Sequence, residues 1–228
     1  MCGRYSLVCI DDLGNRFRVF NPMMGARSRF NIAPGSEVPV IVRAEKNEIV
    51  LMQWGLVPHW TKDIRSAHRP INARAETLFE KPMFAGLLTS HRCLVPASGF
   101  FEWKKEGKAK APYYIRLPEN PLFAFAGLYD RWICPDGTTL STYTIVTCDA
   151  NSLVAGIHDR MPAILRPEDE ERWLSGHPVR PADLKRILSP YPAVEMEMYP
   201  VSPLVNTPAT DDERVIRRLP AHAGTLWV

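Results

Sequence analysis

The sequence has no run that approaches the ~18 consecutive apolar residues of a membrane-spanning helix. Its first residues also lack the basic and then apolar pattern of a secretion signal. The chain is therefore expected to be cytoplasmic and to have no membrane partner. Glycine is scarce relative to proline, with 13 Gly against 21 Pro in 228 residues, which predicts strand ends and fixed loops rather than long helices.

The five cysteines are odd in number and include no CxxC pair. This pattern excludes a disulfide framework and a zinc site of ordinary ligand spacing. His91-x-Cys93 is the nearest approach to a ligand pair, and a chance spacing explains it better. Cys93 itself is predicted to be a small apolar strand residue. No metal and no cofactor are expected.

Positive charge is concentrated in the first third of the chain. Residues 1–76 carry 11 Lys and Arg against 7 Asp and Glu, within a net charge of +3 for the whole chain. This excess is compatible with a polyanionic partner, although a solvated surface explains it almost as well. Residues 104–110 include four lysines that resemble a nucleic-acid patch, but a Gly-centred hairpin turn exposed to solvent is the favoured interpretation.

Short apolar segments separated by turn residues predict a single α+β domain over residues 1–228, with mostly antiparallel strands. A loop is expected at 29–35 with a turn at Pro34-Gly35, and a long loop at 55–70 around Trp60, of a length that is usually functional or disordered. The expected strands are 3–10, 38–42, 48–54, 92–96, 99–104, 122–128, 142–147 and a segment around 163–165. The expected helices are 11–20, one that follows residues 71–77 through Leu78 and Phe79, 167–174 and 181–188.

Cys2 carries unusual chemistry if Met1 is removed, because it then holds a free α-amine beside a thiol. An aldehyde condenses with such an amine to an imine, and the sulfur then closes a five-membered thiazolidine. The amine titrates near ~7.7–8.0 and the thiol near ~8.5, so both are partly reactive at neutral pH. Chain termini are usually frayed and without function. A strand that begins directly after Cys2 would instead hold it in place.

Polar residues also occur inside apolar segments. Glu102 lies between Phe101 and Trp103, where burial would raise its pKa and suit it to proton transfer; an alternation that places Glu102 on the solvent face is the simpler interpretation. His158 and Arg160 precede Pro162 and could move a proton and hold a phosphate, or form only a polar turn. Asn72 alternates with Arg74 and could orient a carbonyl or hydroxyl group.

Seven blocks, in order along residues 2–206, resemble the SRAP family of SOS-response-associated, abasic-site processing proteins. Each block alone is weak, and the ordered set is specific. The blocks are Met1-Cys2-Gly3-Arg4-Tyr5, Asn31-Ile32-Ala33-Pro34-Gly35, Trp54-Gly55-Leu56-Val57-Pro58, Ile71-Asn72-Ala73-Arg74-Ala75-Glu76-Thr77, Phe101-Glu102-Trp103, Ile157-His158-Asp159-Arg160-Met161-Pro162 and Val201-Ser202-Pro203-Leu204-Val205-Asn206.

The resemblance implies an α+β domain around a β-barrel-like core that binds single-stranded DNA containing abasic sites, associated with the nucleoid through that DNA. It implies that Cys2 forms a thiazolidine crosslink with the ring-opened sugar, with weak lyase activity and self-reversal as related activities. Loss of Met1 is explained by self-cleavage and equally well by housekeeping removal before a small residue. The implied reactive residues are Cys2, Asn72, Glu102 and His158. The implied DNA contacts are Arg4, Asn31, Pro34, Trp60, Arg74, Lys81, Thr147 and Arg160.

Two features depart from the family pattern. A further DNA-contacting arginine after the Asn-Ala-Arg motif is missing, and Lys81 stands in that neighbourhood as a point charge. The segment after Asn206 is altered, which leaves the role of the C-terminal tail open. Two alternative functions also stay open at this point: an N-terminal-nucleophile cysteine peptidase or amidohydrolase, and a module that binds single strands without a covalent step.

Overall fold

The computed structural model describes residues 2–8, 10–21, 27–107, 109–177 and 180–220. Across those ranges, no helix has both the length and the apolar character needed to cross a membrane. The strands are β1 (Tyr5–Leu7), β2 (Arg29–Ile32), β3 (Glu37–Arg43), β4 (Asn47–Trp54), β5 (Asn72–Arg74), β6 (Arg92–Ala97), β7 (Gly99–Glu106), β8 (Ala109–Arg116), β9 (Phe123–Ile133), β10 (Thr139–Asp149), β11 (Arg160–Pro162), β12 (Ile164–Leu165) and β13 (Glu197–Pro200). The helices are α1 (Leu13–Arg16), α2 (Pro82–Ala85), α3 (Leu87–Ser90), α4 (Pro167–Leu174) and α5 (Pro181–Ile187).

Five strands close into a barrel. β3 pairs with β4 and with β6, β6 pairs with β9, and β9 pairs with β10, all antiparallel. A parallel pairing of β10 with β4 closes the ring. Closure leaves these strands no free edge along the ring. The predicted α+β class with a mostly antiparallel, barrel-like core is confirmed.

A second sheet, in the order β13-β8-β7-β1-β2, is antiparallel throughout. Strand β1 lies between β2 and β7, with Tyr5 opposite both Ile32 and Phe100. The register continues beyond the strand, because the backbone amide of Phe101 donates to the carbonyl of Arg4 at 3.0 Å. The first residues of the chain are thereby fixed beside β7.

Aromatic packing attaches β1 to the barrel. The fully buried Tyr5 ring meets Trp54 edge-on, with centroids 5.2 Å apart, and its hydroxyl lies 2.7 Å from that of Tyr143. Burying a large side chain of this kind contributes roughly 1.5–3 kcal/mol, and edge-to-face contacts add about 0.5–1.5 kcal/mol. The sequence therefore anchors the segment next to Cys2 instead of leaving it frayed.

Gly99 shows how closely the strands of this sheet approach one another. A Cβ at this position would lie 2.3 Å from the ring carbon and hydroxyl of Tyr114. That hydroxyl crosses the strand to reach the hydroxyl of Ser6 at 2.7 Å. Only glycine leaves room for this crossing, so the pairing of β7 with β1 depends on it.

Several sequence predictions differ from the structure. The expected loop at 29–35 is partly strand, since 29–32 form β2, and the turn at Pro34-Gly35 is present with a positive φ of 85° at Gly35. The helix expected after residues 71–77 is wrong, because Leu78 and Phe79 lie in a turn. Residues 72–74 form β5, which pairs with β10, and 75–77 form a single 3-10 turn. The expected helix at 11–20 shrinks to a 3-10 turn and the four residues of α1. The short α2, α3 and β13 were not predicted.

Tertiary pairing explains why residues 72–74 form a strand that the sequence did not predict. A three-residue segment has little intrinsic preference for a strand, and β10 offers it backbone partners beyond the point where its pairing with β4 ends. Helix α4, in contrast, begins at the expected Pro167 with three acidic residues in its first turn. Its start is encoded locally, by a fixed φ at the first position and by charges that complement the helix dipole.

Candidate active site

Cys2 is fully buried next to β7. Its thiol donates to the carbonyl oxygen of Arg4 at 3.7 Å, and its own carbonyl oxygen accepts from Nδ2 of Asn72 at 2.8 Å. Burial raises the pKa of the Cys2 thiol far above its usual value, and the charge of Glu102 acts in the same direction. The resting thiol is therefore protonated at neutral pH and needs a base before it can act as a nucleophile.

Asn72 reaches Cys2 from a different part of the chain. It lies on β5, opposite Ile145 in the parallel pairing with β10. Its Nδ2 is used by Cys2, while its Oδ1 is buried and has no hydrogen-bond partner among the described residues. A buried acceptor costs about 1–3 kcal/mol when unsatisfied, so Asn72 offers an acceptor beside Cys2 for an incoming donor.

Glu102 is buried, with 3% exposure, and this corrects the simpler interpretation that it faces solvent. Both faces of β7 are covered. Phe100 packs into the main core on one face, while Phe101 and Trp103 pack into a smaller cluster with Tyr114 on the other. Desolvation raises the pKa of Glu102 above its ordinary value of 4.5, and the neighbouring His158 partly offsets this.

His158 is held from two sides. Its backbone amide donates to the carbonyl of Val154 at 2.9 Å, and its ring Nδ1 accepts from the backbone amide of Arg160 at 3.0 Å. Because Nδ1 is an acceptor there, the neutral ring carries its proton on Nε2. The exposed Asp159 carboxylate lies 2.9 Å from the same Nδ1 and gains an ion pair only when the ring is protonated.

Glu102 and His158 open onto a cavity of about 870 Å³. Its other lining residues are Trp103, Lys104, Lys105, Lys110, Ala155, Gly156, Ile157 and Asp159. Cys2 has no exposed surface. A ligand that enters the cavity therefore meets the carboxylate and the imidazole, whereas Cys2 is not among the lining residues.

Arg4, two residues after Cys2, is held by Asn31 of β2 and by Val205 in the C-terminal part of the chain. Its Nη1 donates to Oδ1 of Asn31 and to the carbonyl of Val205, both at 2.8 Å. Its Nε is buried and has no partner among the described residues. The Arg4 guanidinium is thus oriented by two hydrogen bonds, and its Nε–H is still available to donate to a ligand.

A family model described as SOS response associated peptidase (SRAP) matches residues 1–208. The chain belongs to the SRAP family. It is 43% identical to the abasic site processing protein YoqW of Bacillus subtilis over 221 residues, 95% of this chain and 99% of that one. It is 41% identical to the abasic site processing protein YoaM of the same organism, over 95% of this chain and 97% of the other. A crystal structure of a Bacteroides thetaiotaomicron protein superposes with a TM-score of 0.87 at 32% identity, covering 96% of this chain and 100% of that one.

The C-terminal segment of this SRAP chain, residues 205–211, is hydrogen bonded to β2. Nδ2 of the buried Asn31 donates to the carbonyl of Thr210 at 2.7 Å and to that of Thr207 at 3.1 Å. The Asp211 carboxylate accepts from the backbone amides of Phe30 and Asn31 at 2.6 and 2.7 Å. The altered tail, whose role the sequence left open, therefore positions Asn31 and through it Arg4.

Arg160 is enclosed by protein acceptors, although the sequence predicts a phosphate contact. Its side chain is 10% exposed, and its two terminal nitrogens donate to both oxygens of Glu76, to Asp149 and to the carbonyl of Thr147, at 2.7–2.9 Å. Thr147 is itself fully buried. A DNA contact by either residue stays a prediction that requires these acceptors to be exchanged.

The remaining predicted DNA contacts are exposed. Trp60 is 53% exposed and meets the His59 ring edge-on at 4.7 Å. Pro34, Arg74 and Lys81 are also exposed, and Lys81 directly precedes α2. None of these four is among the cavity-lining residues that the described ranges contain. Their contact with DNA stays a prediction.

The sequence pattern did not assign Trp103 or the neighbouring lysines to the site. Trp103 is half-buried, lines the cavity and donates from Nε1 to Oδ1 of Asn206 at 2.8 Å. One signal was available: Trp103 follows Glu102 directly and leads into Lys104-Lys105. Across the described ranges, no group of three or more His, Cys, Asp and Glu side chains is placed to hold a metal ion.

Proposed function

We propose that this chain processes abasic sites in single-stranded DNA by forming a covalent thiazolidine between Cys2 and the ring-opened sugar. One observation carries the proposal. The carbonyl of Cys2 is hydrogen bonded to Asn72, and Glu102 is close enough for its charge to act on the Cys2 thiol. Two residues 70 and 100 positions away thus converge on a potential 1,2-aminothiol, and the relatives' names supply the substrate class.

The reaction begins with removal of Met1, which frees the α-amine of Cys2. The amine adds to the C1 aldehyde of the open sugar, and water leaves to give an imine. The thiol then adds across the C=N bond, with sulfur bonding to carbon and the proton passing to nitrogen. The product is a five-membered thiazolidine that links protein to DNA.

His158 and Glu102 supply the proton transfers. The aldehyde exists only when the sugar is open. The protonated His158 ring is suited to giving its Nε2 proton to the ring oxygen as the C1–O bond breaks, while the C1 hydroxyl loses its proton to solvent. Glu102 has a raised pKa, so its carboxylate is a stronger base than an exposed one. It accepts the proton of the thiol or amine and returns it as water leaves.

Asn72 positions the reactants. Its Nδ2 holds the Cys2 backbone, and its unpaired Oδ1 accepts from the free amine or from a sugar hydroxyl. Holding two reacting groups in line can supply several kcal/mol of a barrier. The same imine has an acidic C2 hydrogen, so slow β-elimination of the 3′ phosphate is a side reaction, and protonation by Glu102 also assists reversal.

The DNA contacts are sequence-independent in this proposal. Arg4 and Arg74 contact phosphates, and Arg160 does so if it exchanges its carboxylate partners; Asn31 holds Arg4, while Lys81 supplies a further charge. Bases that flank the lesion stack on Trp60 and Pro34, and stacking on an aromatic ring is worth roughly 1–3 kcal/mol per base. Undamaged single strands therefore bind but do not crosslink.

The decisive experiment incubates the protein with a single strand that contains one abasic site. The expected product survives denaturant, has the mass of protein lacking Met1 plus DNA less one water, and is absent with intact DNA. Cys2→Ala abolishes the thiazolidine, and an acylated Cys2 nitrogen blocks imine formation. An equally stable adduct with Cys2→Ala would overturn the proposal. Turnover of amide substrates without an adduct would support the peptidase, and reversible binding alone would support the non-covalent module.

A further inference from the structure

The hairpin formed by β7 and β8 carries a charge arrangement that is unfavourable for the isolated protein. Lys105 and Lys110 are directly opposite each other in the antiparallel register, and both are exposed. Like charges in directly opposed positions destabilise a strand pair. Lys104 adds a third ammonium one residue earlier on β7.

Among the described residues of the hairpin, little neutralises this charge. The Lys104 ammonium lies 3.5 Å from a carboxylate oxygen of Glu106, and both side chains are about 40% exposed. Exposed pairs of this kind contribute little to stability. An unfavourable pair at a surface position points to a ligand that compensates for it.

The same three lysines line the cavity that Glu102 and His158 open onto. Lys105 is three residues from Glu102 along β7, which is about 10 Å at ~3.3 Å per residue. One DNA strand carries a phosphate about every 3.4 Å along the axis of a duplex, and an unpaired strand is more extended, so about three nucleotides or fewer cover this distance. The cavity therefore has Glu102 and His158 at one end and the three lysines at the other. One short stretch of DNA can reach both ends.

We propose that Lys104, Lys105 and Lys110 form a phosphate-binding subsite for the phosphodiesters next to the reacting sugar. The inference rests on the proposed function. It adds a second set of phosphate contacts to the DNA strand, separate from those of Arg4 and Arg74. Lysine suits this task because its ammonium is a point charge that makes no demand on base sequence or phosphate orientation. Exposed lysines can also follow a flexible strand, whereas Arg4 is held by Asn31 and Val205.

The test compares Lys105→Ala/Lys110→Ala with a matched control, Lys46→Ala/Lys185→Ala, which removes two exposed lysines outside this cavity. Binding is measured to a single strand that carries a reduced abasic sugar, because this strand cannot crosslink. The slope of log affinity against log salt should fall by about 1.4 in the hairpin variant, because each neutralised phosphate of a single strand contributes about 0.7. The melting temperature of the hairpin variant should be no lower than that of the wild type, since a repulsion is removed.

An unchanged slope in the hairpin variant, or an equal fall in the control, overturns the inference. Failure of the proposed function is visible separately, as wild-type protein that forms no adduct with aldehyde-bearing DNA. With sub-saturating aldehyde-bearing DNA, the hairpin variant should form adduct more slowly than the wild type, while the control variant should match the wild type. Equal rates for the hairpin variant and the wild type would also overturn the inference.

Discussion

Nδ2 of Asn72 donates a hydrogen bond of 2.8 Å to the carbonyl oxygen of Cys2, across 70 residues of sequence. This bond joins β5, which pairs with the barrel strand β10, to the first residues of the chain. It fixes the backbone from which both the amine and the thiol of Cys2 project. The geometry of the proposed reagent thus depends on a residue that does not itself react.

Asn72→Ala should slow adduct formation by about 10–100-fold at saturating DNA, because loss of positioning at a reacting group has costs of that order. The effect should appear in the single-turnover rate, while DNA affinity changes little. Asn21→Ala is a matched control, since Asn21 also donates to a backbone carbonyl, that of Ile49 at 3.0 Å. Equal rates for both variants would contradict the positioning role.

Glu102→Gln should stabilise the protein at neutral pH and slow the reaction by about 10²–10⁴-fold, the usual contribution of a positioned acid or base. The pKa of Glu102 is raised in the folded state from an ordinary value of 4.5. Between these two values the folded state binds more protons than the unfolded state, so stability falls as pH rises through this window. The stability difference between variant and wild type should therefore grow above pH 4.5 and vanish below it, as measured by denaturant titration.

Arg160→Ala and Arg74→Ala should separate structure from DNA binding. Arg160 is 10% exposed and paired with two carboxylates, so its loss should lower the free energy of unfolding by about 1–3 kcal/mol. Arg74 is exposed, and its loss should change stability by no more than about 0.5 kcal/mol. Arg74→Ala should instead reduce the salt dependence of DNA binding by about 0.7. If Arg74→Ala lowered stability and Arg160→Ala only reduced the salt dependence, the structural role would belong to Arg74 and the DNA contact to Arg160.

Asp211→Ala should weaken DNA binding without removing any DNA contact. Asp211 accepts two backbone amides of β2 and pairs with Arg29, and β2 carries the Asn31 that holds Arg4. Losing these bonds should cost about 1–3 kcal/mol of stability and leave Arg4 less ordered. Asp211→Asn should restore part of both losses, because it retains an acceptor. Asp63→Ala, at an exposed pair with Arg65, should leave both properties unchanged.

Local sequence signals predicted several elements well. The β3–β4 hairpin, the β7–β8 hairpin and the start of α4 were all expected from turn residues, alternation and a proline at the first helical position. These signals act within a few residues, so they do not depend on the rest of the fold. The motif blocks likewise indicated the SRAP family, and the family match confirms it.

The sequence by itself determined which chemical groups this protein has: the aminothiol precursor at Cys2, a carboxylate at Glu102, an imidazole at His158 and lysines in one hairpin. Only the tertiary structure decided where they lie. Alternation along β7 could not show that the Glu102 side chain is buried. It assumes that one face of the strand is exposed, whereas clusters from distant strands cover both faces of β7. Cys2 is anchored for a similar reason. The neighbouring strand β1 is held by Tyr143 of β10 and Phe100 of β7, which are distant in sequence and lie beside β1 only in the folded protein.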